Sequence, residues 1–237
     1  MNYSVRVMKR TMDLLFCGVG MIVVLPVMLC VAVTIKITSK GPVFYKQKRA
    51  GFLPADHLAE PREFWVYKFR TMIENAEKNT GAVLCSKGDL RVTKVGKILR
   101  KTRLDELPQF FNVLKGEMSL VGPRPERPEL MKIFSEAIPF FEERMRLVKP
   151  GITGLAQVNL SYSGRLSKDD KLFHLKDSLF DPFGLPETVD SLGGDMRTKM
   201  LYDMAYSCSL ERFSSALVTD LKTIAATPVV MFLKRTG

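Results

Sequence analysis

The first feature of the chain is an uninterrupted apolar run near its N-terminus. Residues 14–32 contain no charged side chain, and such a run is about as long as a helix that crosses a lipid bilayer. A soluble core helix of this kind would be apolar on every side. A cleaved signal peptide would need a small-x-small site before Thr34, which the sequence lacks. The pattern therefore favours a membrane helix.

Proline and charge decide which kind of membrane helix is predicted. Pro26 removes a backbone hydrogen bond from the run, and cations flank both of its ends. These cations are Arg6, Lys9 and Arg10 before the run, and Lys36, Lys40, Lys46, Lys48 and Arg49 after it. The positive-inside rule assigns both flanks to the cytoplasm, so we predict a re-entrant helix-break-helix over residues 1–38. The alternative is a helix that spans the membrane with an ordinary proline kink.

Short β-type and helical patterns follow the apolar run. The β-prone residues at 43–45 and 63–70 predict two strands that pair across an irregular loop at 51–62. Apolar spacing predicts an amphipathic helix at 133–148. We therefore predict an α+β fold, in which a small mixed or antiparallel sheet packs with amphipathic interfacial helices and the re-entrant segment.

Two adjacent carboxylates stand in the stretch that is richest in reactive side chains. Asp105 and Glu106 follow three cations, Arg100, Lys101 and Arg103. Apolar residues at helical spacing come next, and a Lys-Gly pair ends them: Leu107, Phe110, Phe111, Leu114, Lys115 and Gly116. This pattern places the carboxylates at a helix N-terminus, where the helix dipole and the guanidinium groups favour anions. A solvated charge run at the start of a surface helix is the alternative.

An ionised carboxylate beside a bound phosphate can serve as a nucleophile, as a Mg²⁺ ligand or as both. The net charge of +11, from 36 Lys and Arg against 25 Asp and Glu, indicates an acidic partner. That partner is a phosphorylated substrate, an anionic membrane surface or nucleic acid. Four cysteines without a C-x-x-C pair argue against a disulfide framework or a zinc site.

Two further segments are candidates for contact with phosphate. Arg124 lies between two prolines, so its backbone is rigid and its guanidinium is suited to bind phosphate. The glycine-rich loop at 149–157 could let the backbone approach a phosphate closely. An ordinary proline turn is the alternative for Arg124.

Several motifs, in their order along the chain, resemble one family. They comprise Lys9-Arg10-x-x-Asp13, the proline-interrupted apolar run, residues 39–44, 67–72, 91–93, 104–109, 118–125 and 149–157, and Tyr202-Asp203. Together they resemble the bacterial sugar transferases, the monotopic phosphoglycosyl transferases that start polysaccharide and glycoconjugate assembly. Single motifs among these are common, but their combination is highly specific.

The resemblance implies a reaction. Enzymes of this kind transfer a sugar-1-phosphate from a UDP-sugar to polyprenyl (undecaprenyl) phosphate and release UMP. Asp105 would attack the β-phosphate, form an aspartyl-phosphosugar and bind Mg²⁺, while Glu106 would act as general base or support the metal. The other matching positions are Lys68 and Asp203 in the active site, and Arg100, Arg124 and Lys149 as phosphate-binding cations.

The resemblance also implies partners and a location. UDP-sugar, polyprenyl phosphate and anionic membrane lipid are the expected partners, nucleic acid is not, and homo-oligomerisation stays open. Residues 39–237 would form a catalytic domain on the cytoplasmic face of the bacterial inner membrane, with an insertion at about 161–196. Two other functions stay open: a membrane-tethered basic protein that binds without catalysis, and a metal-dependent hydrolase of nucleotide diphosphates.

Overall fold

The computed structural model describes residues 1–56, 58–74, 76, 89–160 and 192–233. Its helices are α1 (Tyr3–Thr38), α2 (Lys94–Thr102), α3 (Gln109–Lys115), α4 (Pro128–Ala137), α5 (Leu155–Asn159), α6 (Leu192–Ser209) and α7 (Phe213–Leu233). Its strands are β1 (Phe44–Ala50), β2 (Glu63–Phe69), β3 (Ser119–Val121) and β4 (Gly151–Thr153). Two 3₁₀ turns lie at Leu104–Glu106 and Phe141–Met145. The mixture of helices and small sheets agrees with the predicted class.

α1 is one long helix that contains the whole apolar run. Among the described residues it is the helix that is long and apolar enough to cross a membrane. It continues through Pro26, so the predicted separation into two helices is not confirmed. A proline removes only one hydrogen bond, and a helix can bend at that point without ending. One face of α1 exposes large apolar side chains: Leu15, Val19, Ile22, Val23 and Leu29.

Polar contacts fasten both ends of α1 to the rest of the protein. Near its start, Arg10 donates to two carbonyl oxygens at the end of α3, at 2.7 and 2.8 Å. Asp13 accepts a hydrogen bond from the backbone N–H of Leu120 at 2.8 Å. Just beyond its C-terminal end, Ser39 accepts a hydrogen bond from Arg70 through its carbonyl oxygen at 2.9 Å. The helix is therefore held to one body at both of its ends.

The predicted hairpin is confirmed, and a second pair of strands accompanies it. β1 and β2 are antiparallel, with Phe44 opposite Phe69 and Tyr45 opposite Lys68. β3 and β4 form a separate parallel pair. The described residues thus contain two two-stranded sheets where the sequence predicted one small sheet. The second pair has strands of three residues, which are too short for alternation to reveal.

Glycines allow the β3 and β4 segments to approach closely. A Cβ atom on Gly151 would lie 2.2 Å from the backbone nitrogen of Gly122, and one on Gly154 would lie 2.2 Å from the Gly122 carbonyl oxygen. Only residues without a Cβ fit at such distances. These glycines of the glycine-rich loop pack against backbone, and whether the loop also approaches a phosphate stays a prediction.

The helix predicted at 133–148 has the wrong bounds. α4 ends at Ala137, and Ile138 is extended, with φ −128° and ψ 107°. The cause is Pro139, because a proline disfavours the helical conformation of the residue before it. The chain then resumes as a 3₁₀ turn, in which Phe141 is fully buried.

A buried polar cluster joins α1 to the two C-terminal helices. Lys9 Nζ lies 2.8 Å from Asp220 Oδ2 and 2.5 Å from the Tyr206 hydroxyl oxygen. Lys9 also donates to the Val121 carbonyl oxygen at 3.1 Å.

Most of the predicted insertion at 161–196 lies outside the described residues, and only its last part belongs to α6.

Candidate active site

The two carboxylates lie in a tight turn between two helices. α2 ends at Thr102, the C-cap Arg103 reverses the chain with a φ of 59°, and Asp105 and Glu106 follow in the 3₁₀ turn. Leu104 and Leu107 pack into an apolar cluster on either side of the pair and so fix the turn. The pair precedes α3 by one short turn, whereas the sequence predicted it at the first turn of that helix. Both carboxylates are about 8% exposed.

Glu106 is held by two cations from distant segments. Lys68 on β2 donates to Glu106 Oε1 at 3.0 Å, and Arg124 donates to the two carboxylate oxygens at 2.5 and 3.3 Å. Burial by itself raises the pKa of Glu106, but the charges of Arg124 and Lys68 outweigh it and hold this pKa well below its usual value. Glu106 is therefore a permanent anion whose oxygens are already engaged.

Asp105 differs from Glu106 in its hydrogen bonding and in the direction of its pKa shift. Its Oδ1 atom is buried and has no hydrogen-bond partner among the described residues. Burial first, and then the negative charge of Glu106, raises the pKa of Asp105 to about 6, although Lys68 lowers it. The ionised form of this side chain therefore predominates at neutral pH. Neither oxygen of Asp105 has a hydrogen-bond partner among the described residues.

Further cations surround the pair. Arg103 and Arg124 both act on the pKa of Asp105, and Arg49 on β1 interacts electrostatically with Glu126, Arg124 and Glu106. Burial lowers the pKa of Arg49 to about 10, and its guanidinium donates to the Pro125 carbonyl oxygen at 3.1 Å. The sequence analysis counted Arg49 only as a cation flanking the membrane run. The signal was available in the hairpin, because strand alternation puts Arg49 and Lys68 on one face.

Asp203 acts on this site from a distance. It is buried on α6 and accepts a hydrogen bond from Arg144 at 2.6 Å. Arg144 in turn donates to the Arg124 carbonyl oxygen at 2.9 Å and stacks on the Phe141 ring. Asp203 therefore positions Arg124 through Arg144. The sequence analysis missed Arg144, because nothing in its surroundings distinguishes it from an ordinary helical cation.

Two predicted phosphate-binding cations have other neighbours. Arg100 donates to the Thr71 hydroxyl at 2.8 Å, just beyond the end of β2. Lys149 lies with Arg10 and Asp13 in a cavity whose lining includes neither carboxylate. The structure thus brings together Lys68, Asp105, Glu106 and Arg124, and it places Lys149 elsewhere.

The donor set fits a metal that is shared with a substrate. The described residues contain no group of three or more His, Cys, Asp or Glu side chains that could hold a metal ion. Mg²⁺ needs only one or two carboxylates when phosphate oxygens and water complete its shell. The carboxylate of Asp105 meets that requirement, whereas the oxygens of Glu106 are engaged by cations.

Comparison with known proteins gives the family. The profile of the family described as bacterial sugar transferase matches residues 4–234. This chain belongs to the bacterial sugar transferase family. The match includes α1, the hairpin, the carboxylate pair and α7, so it covers every element of the site described above.

Two relatives of this bacterial sugar transferase are named for related reactions. A UDP-N-acetylgalactosamine-undecaprenyl-phosphate N-acetylgalactosaminephosphotransferase of Aeromonas hydrophila is 48% identical over 155 residues, 65% of this chain and 34% of the relative. A UDP-glucose:undecaprenyl-phosphate glucose-1-phosphate transferase of Klebsiella pneumoniae is 44% identical over 153 residues, 65% of this chain and 31% of the relative. The matched segment therefore spans about a third of each of these relatives.

Proposed function

We propose that this protein transfers a sugar-1-phosphate from a UDP-sugar to undecaprenyl phosphate and releases UMP. The observation that carries the proposal is that one carboxylate of the pair is bound by two cations and the other, among the described residues, is not. Glu106 is neutralised by Lys68 and Arg124, while Asp105 has a buried oxygen without a partner. The names of the two relatives support the choice of donor and acceptor.

In the first step Asp105 acts as the nucleophile. One oxygen of its carboxylate attacks the β-phosphorus of the UDP-sugar, and a new bond between that oxygen and phosphorus forms. The bond from the β-phosphorus to the oxygen that bridges the two phosphates breaks, and UMP leaves with the electron pair. The product is an aspartyl-phosphosugar on the protein. A pKa of about 6 makes Asp105 ionised at neutral pH and more basic than an ordinary aspartate.

In the second step the lipid phosphate takes the sugar phosphate. An oxygen of the acceptor phosphate attacks the same phosphorus, and the bond to Asp105 breaks with return of its carboxylate. The product is a lipid-linked diphosphosugar. We assign Glu106 to the support of Lys68 and Arg124, because its low pKa makes it a weak general base.

Electrostatics is the main contribution of the remaining residues. Two anionic substrates must meet beside two carboxylates, which is unfavourable without fixed positive charge. Lys68, Arg124 and Arg49 supply that charge from rigid strands and from a proline-bounded segment. Mg²⁺ held by Asp105 and the substrate phosphates would supply further neutralisation of the diphosphate.

We also propose that α1 is re-entrant and that the catalytic body lies on the cytoplasmic face of a bacterial inner membrane. The contacts of Arg10 and Ser39 tie both ends of α1 to the same body. A helix that crossed the bilayer would leave one of these contacts on the opposite side. The exposed apolar face between the two ends would then lie in one leaflet.

The chemical proposal is tested by trapping the intermediate. The detergent-purified protein is incubated with a panel of UDP-sugars labelled on the β-phosphate, first without and then with undecaprenyl phosphate. We expect label on the protein without acceptor and transfer of that label to lipid after its addition. Asp105→Asn should lose both, with turnover reduced at least about a thousandfold. Asp56→Asn, at an exposed position, is the matched control.

Other outcomes assign another function. Free sugar phosphate without lipid product would identify a hydrolase, and no turnover with any UDP-sugar would leave a binding protein. Labelled adduct that survives in Asp105→Asn would remove Asp105 from the role of nucleophile.

The topology is tested by cysteine labelling in a background without the native cysteines. We expect Ser4→Cys and Tyr45→Cys to react with a membrane-impermeant reagent from the same, cytoplasmic side. Labelling from opposite sides would show that α1 spans the membrane.

A further inference from the structure

A second cluster of cations lines a cavity that the proposed reaction does not use. The cavity has a volume of about 770 Å³ and lies between the first turns of α1, the start of β2 and the segment before β4. We call it the N-terminal cavity. The cations that line it are Arg6, Lys9, Arg10, Arg62 and Lys149.

The acidic groups of this cavity are already satisfied within the protein. Asp13 accepts hydrogen bonds from Ser119 and from a backbone N–H of β3. Glu63 pairs with Lys48 at 3.0 Å, and Glu117 accepts a hydrogen bond from the amide of a buried asparagine on α3. None of these carboxylates is therefore left to neutralise a cation of the cavity by direct pairing.

Three of the cations, Arg6, Arg62 and Lys149, have no such partner among the described residues. Lys9 and Arg10 donate to groups outside the cavity, as described above. The side chains of Lys149 and Arg6 form no hydrogen bond and no ion pair with any residue in the part of the chain that the structure describes. Lys149 is half-buried, and burial together with the charge of Arg10 lowers its pKa. A cation in this position gains most from an anion that enters the cavity.

The rest of the lining is apolar and adjoins the membrane helix. Phe52, Phe64 and Val148 are among the residues that form the wall. On the other side of the same turns of α1, Tyr3 and Val7 are 81% and 46% exposed. Cations beside exposed apolar side chains at the start of a membrane helix are typical of the head-group level of a bilayer.

The N-terminal cavity is separate from the carboxylate pair. It touches Gly116 and Glu117, beyond the C-terminal end of α3, whereas Asp105 and Glu106 precede the other end. A helix of seven residues is about 10 Å long. A phosphate in this cavity is therefore too far from Asp105 to react, since reacting atoms must lie about 3–3.5 Å apart.

We propose that the N-terminal cavity binds the phosphate group of an anionic membrane phospholipid, which does not react. Lys149 and Arg6 hold the phosphate, and the glycerol and upper acyl chain lie along the aromatic wall. The inference rests on the proposed function only in that α1 lies in a membrane. The site would fix the orientation of the protein on the membrane surface.

The test measures lipid retention by native mass spectrometry of the full chain, purified in neutral detergent. Phosphatidylglycerol and phosphatidylcholine with identical acyl chains are added separately. We expect retention of phosphatidylglycerol only, and affinity about tenfold lower in Lys149→Gln, as for loss of one charge-assisted hydrogen bond. Lys46→Gln, on an exposed part of β1, is the matched control. Arg6→Gln, at an exposed position, gives the same test should Lys149→Gln fold poorly.

Three results would overturn the proposal. The first is equal retention by Lys149→Gln, Arg6→Gln and the control. The second is complete displacement of the lipid by inorganic phosphate at equal concentration, which would identify a free-anion site. The third is displacement by undecaprenyl phosphate, which would make the cavity the acceptor's own site. UMP release is measured separately, so retention of phosphatidylglycerol without turnover would refute the transferase and leave this inference intact.

Discussion

At the scale of single residues, Asp105 and Glu106 are neighbours whose pKa values are shifted in opposite directions. Both are buried, yet only Glu106 receives direct hydrogen bonds from Lys68 and Arg124. The anion at Glu106 then raises the pKa of Asp105, while Lys68 lowers it. The pKa of Asp105 therefore depends on the charges of both Glu106 and Lys68.

This arrangement predicts in which direction the pH dependence of kcat/KM shifts in two variants. Because the proposed attack requires an ionised Asp105, kcat/KM should fall as pH falls through about 6. Glu106→Gln removes a charge that raises this pKa, so the acid limb should move to lower pH. Lys68→Gln removes a charge that lowers it, so the limb should move to higher pH.

The measurement is the pH profile of kcat/KM for UMP release, with each profile scaled to its own maximum. Lys115→Gln serves as the control, because this lysine lies on Tyr67 at the surface. Shifts of the same sign in both variants would contradict the assignment of the acid limb to Asp105.

At the scale of elements, one asparagine joins the strand that carries Lys68 to the helix that follows the carboxylates. Asn112 on α3 is fully buried and donates to the Trp65 carbonyl oxygen at 2.7 Å. It also accepts a hydrogen bond from the Tyr67 backbone N–H at 3.1 Å. Its amide thus makes the two backbone hydrogen bonds that a neighbouring strand would make at the edge of β2. These bonds fix the position of Lys68 relative to Glu106.

Asn112→Leu should therefore damage both stability and catalysis. Two partly buried backbone groups of β2 would lose their partners, which should lower the free energy of unfolding by about 3 kcal/mol. We expect a lower midpoint of thermal unfolding in detergent and a lower kcat. Asn159→Leu, at an exposed position on α5, is the control. Unchanged kcat in Asn112→Leu would show that β2 does not need this clamp.

At the scale of the whole molecule, the buried cluster of Lys9, Tyr206 and Asp220 joins α1 to α6 and α7. Lys9 is 7% exposed and Asp220 is 3% exposed. The two charges can be buried only as a pair, because an unpaired buried charge loses the free energy of its hydration without compensation. The cluster therefore makes the position of α1 part of the folded core.

Breaking this pair should destabilise the protein more than breaking a pair at the surface. Asp220→Asn leaves Lys9 buried without an anion, and we expect a loss of about 3–5 kcal/mol. Glu63→Gln breaks the exposed Lys48–Glu63 pair and should cost less than about 1 kcal/mol. Thermal unfolding in detergent compares the two variants. The double change Lys9→Met and Asp220→Leu should recover much of the loss, and equal melting of all variants would contradict the buried pair.

Much of the local structure could be predicted from the sequence. The apolar run, the hairpin of β1 and β2 and the end of α3 at Gly116 follow from periodicity, β propensity and a glycine stop. The helix predicted at 133–148 failed where Pro139 intervenes, although the proline was visible in the sequence.

The sequence by itself determined the long apolar helix, the strand pair and the position of the carboxylate pair, because these depend on residues adjacent along the chain. Only the tertiary structure decided which cations reach the pair. Lys68 and Arg124 lie 38 and 18 positions away from Glu106, and packing brings them together. Lys149 carries the same charge but faces another cavity. The sequence gives the charge of each side chain, whereas the distances between charges, which set their interaction energy, exist only after folding.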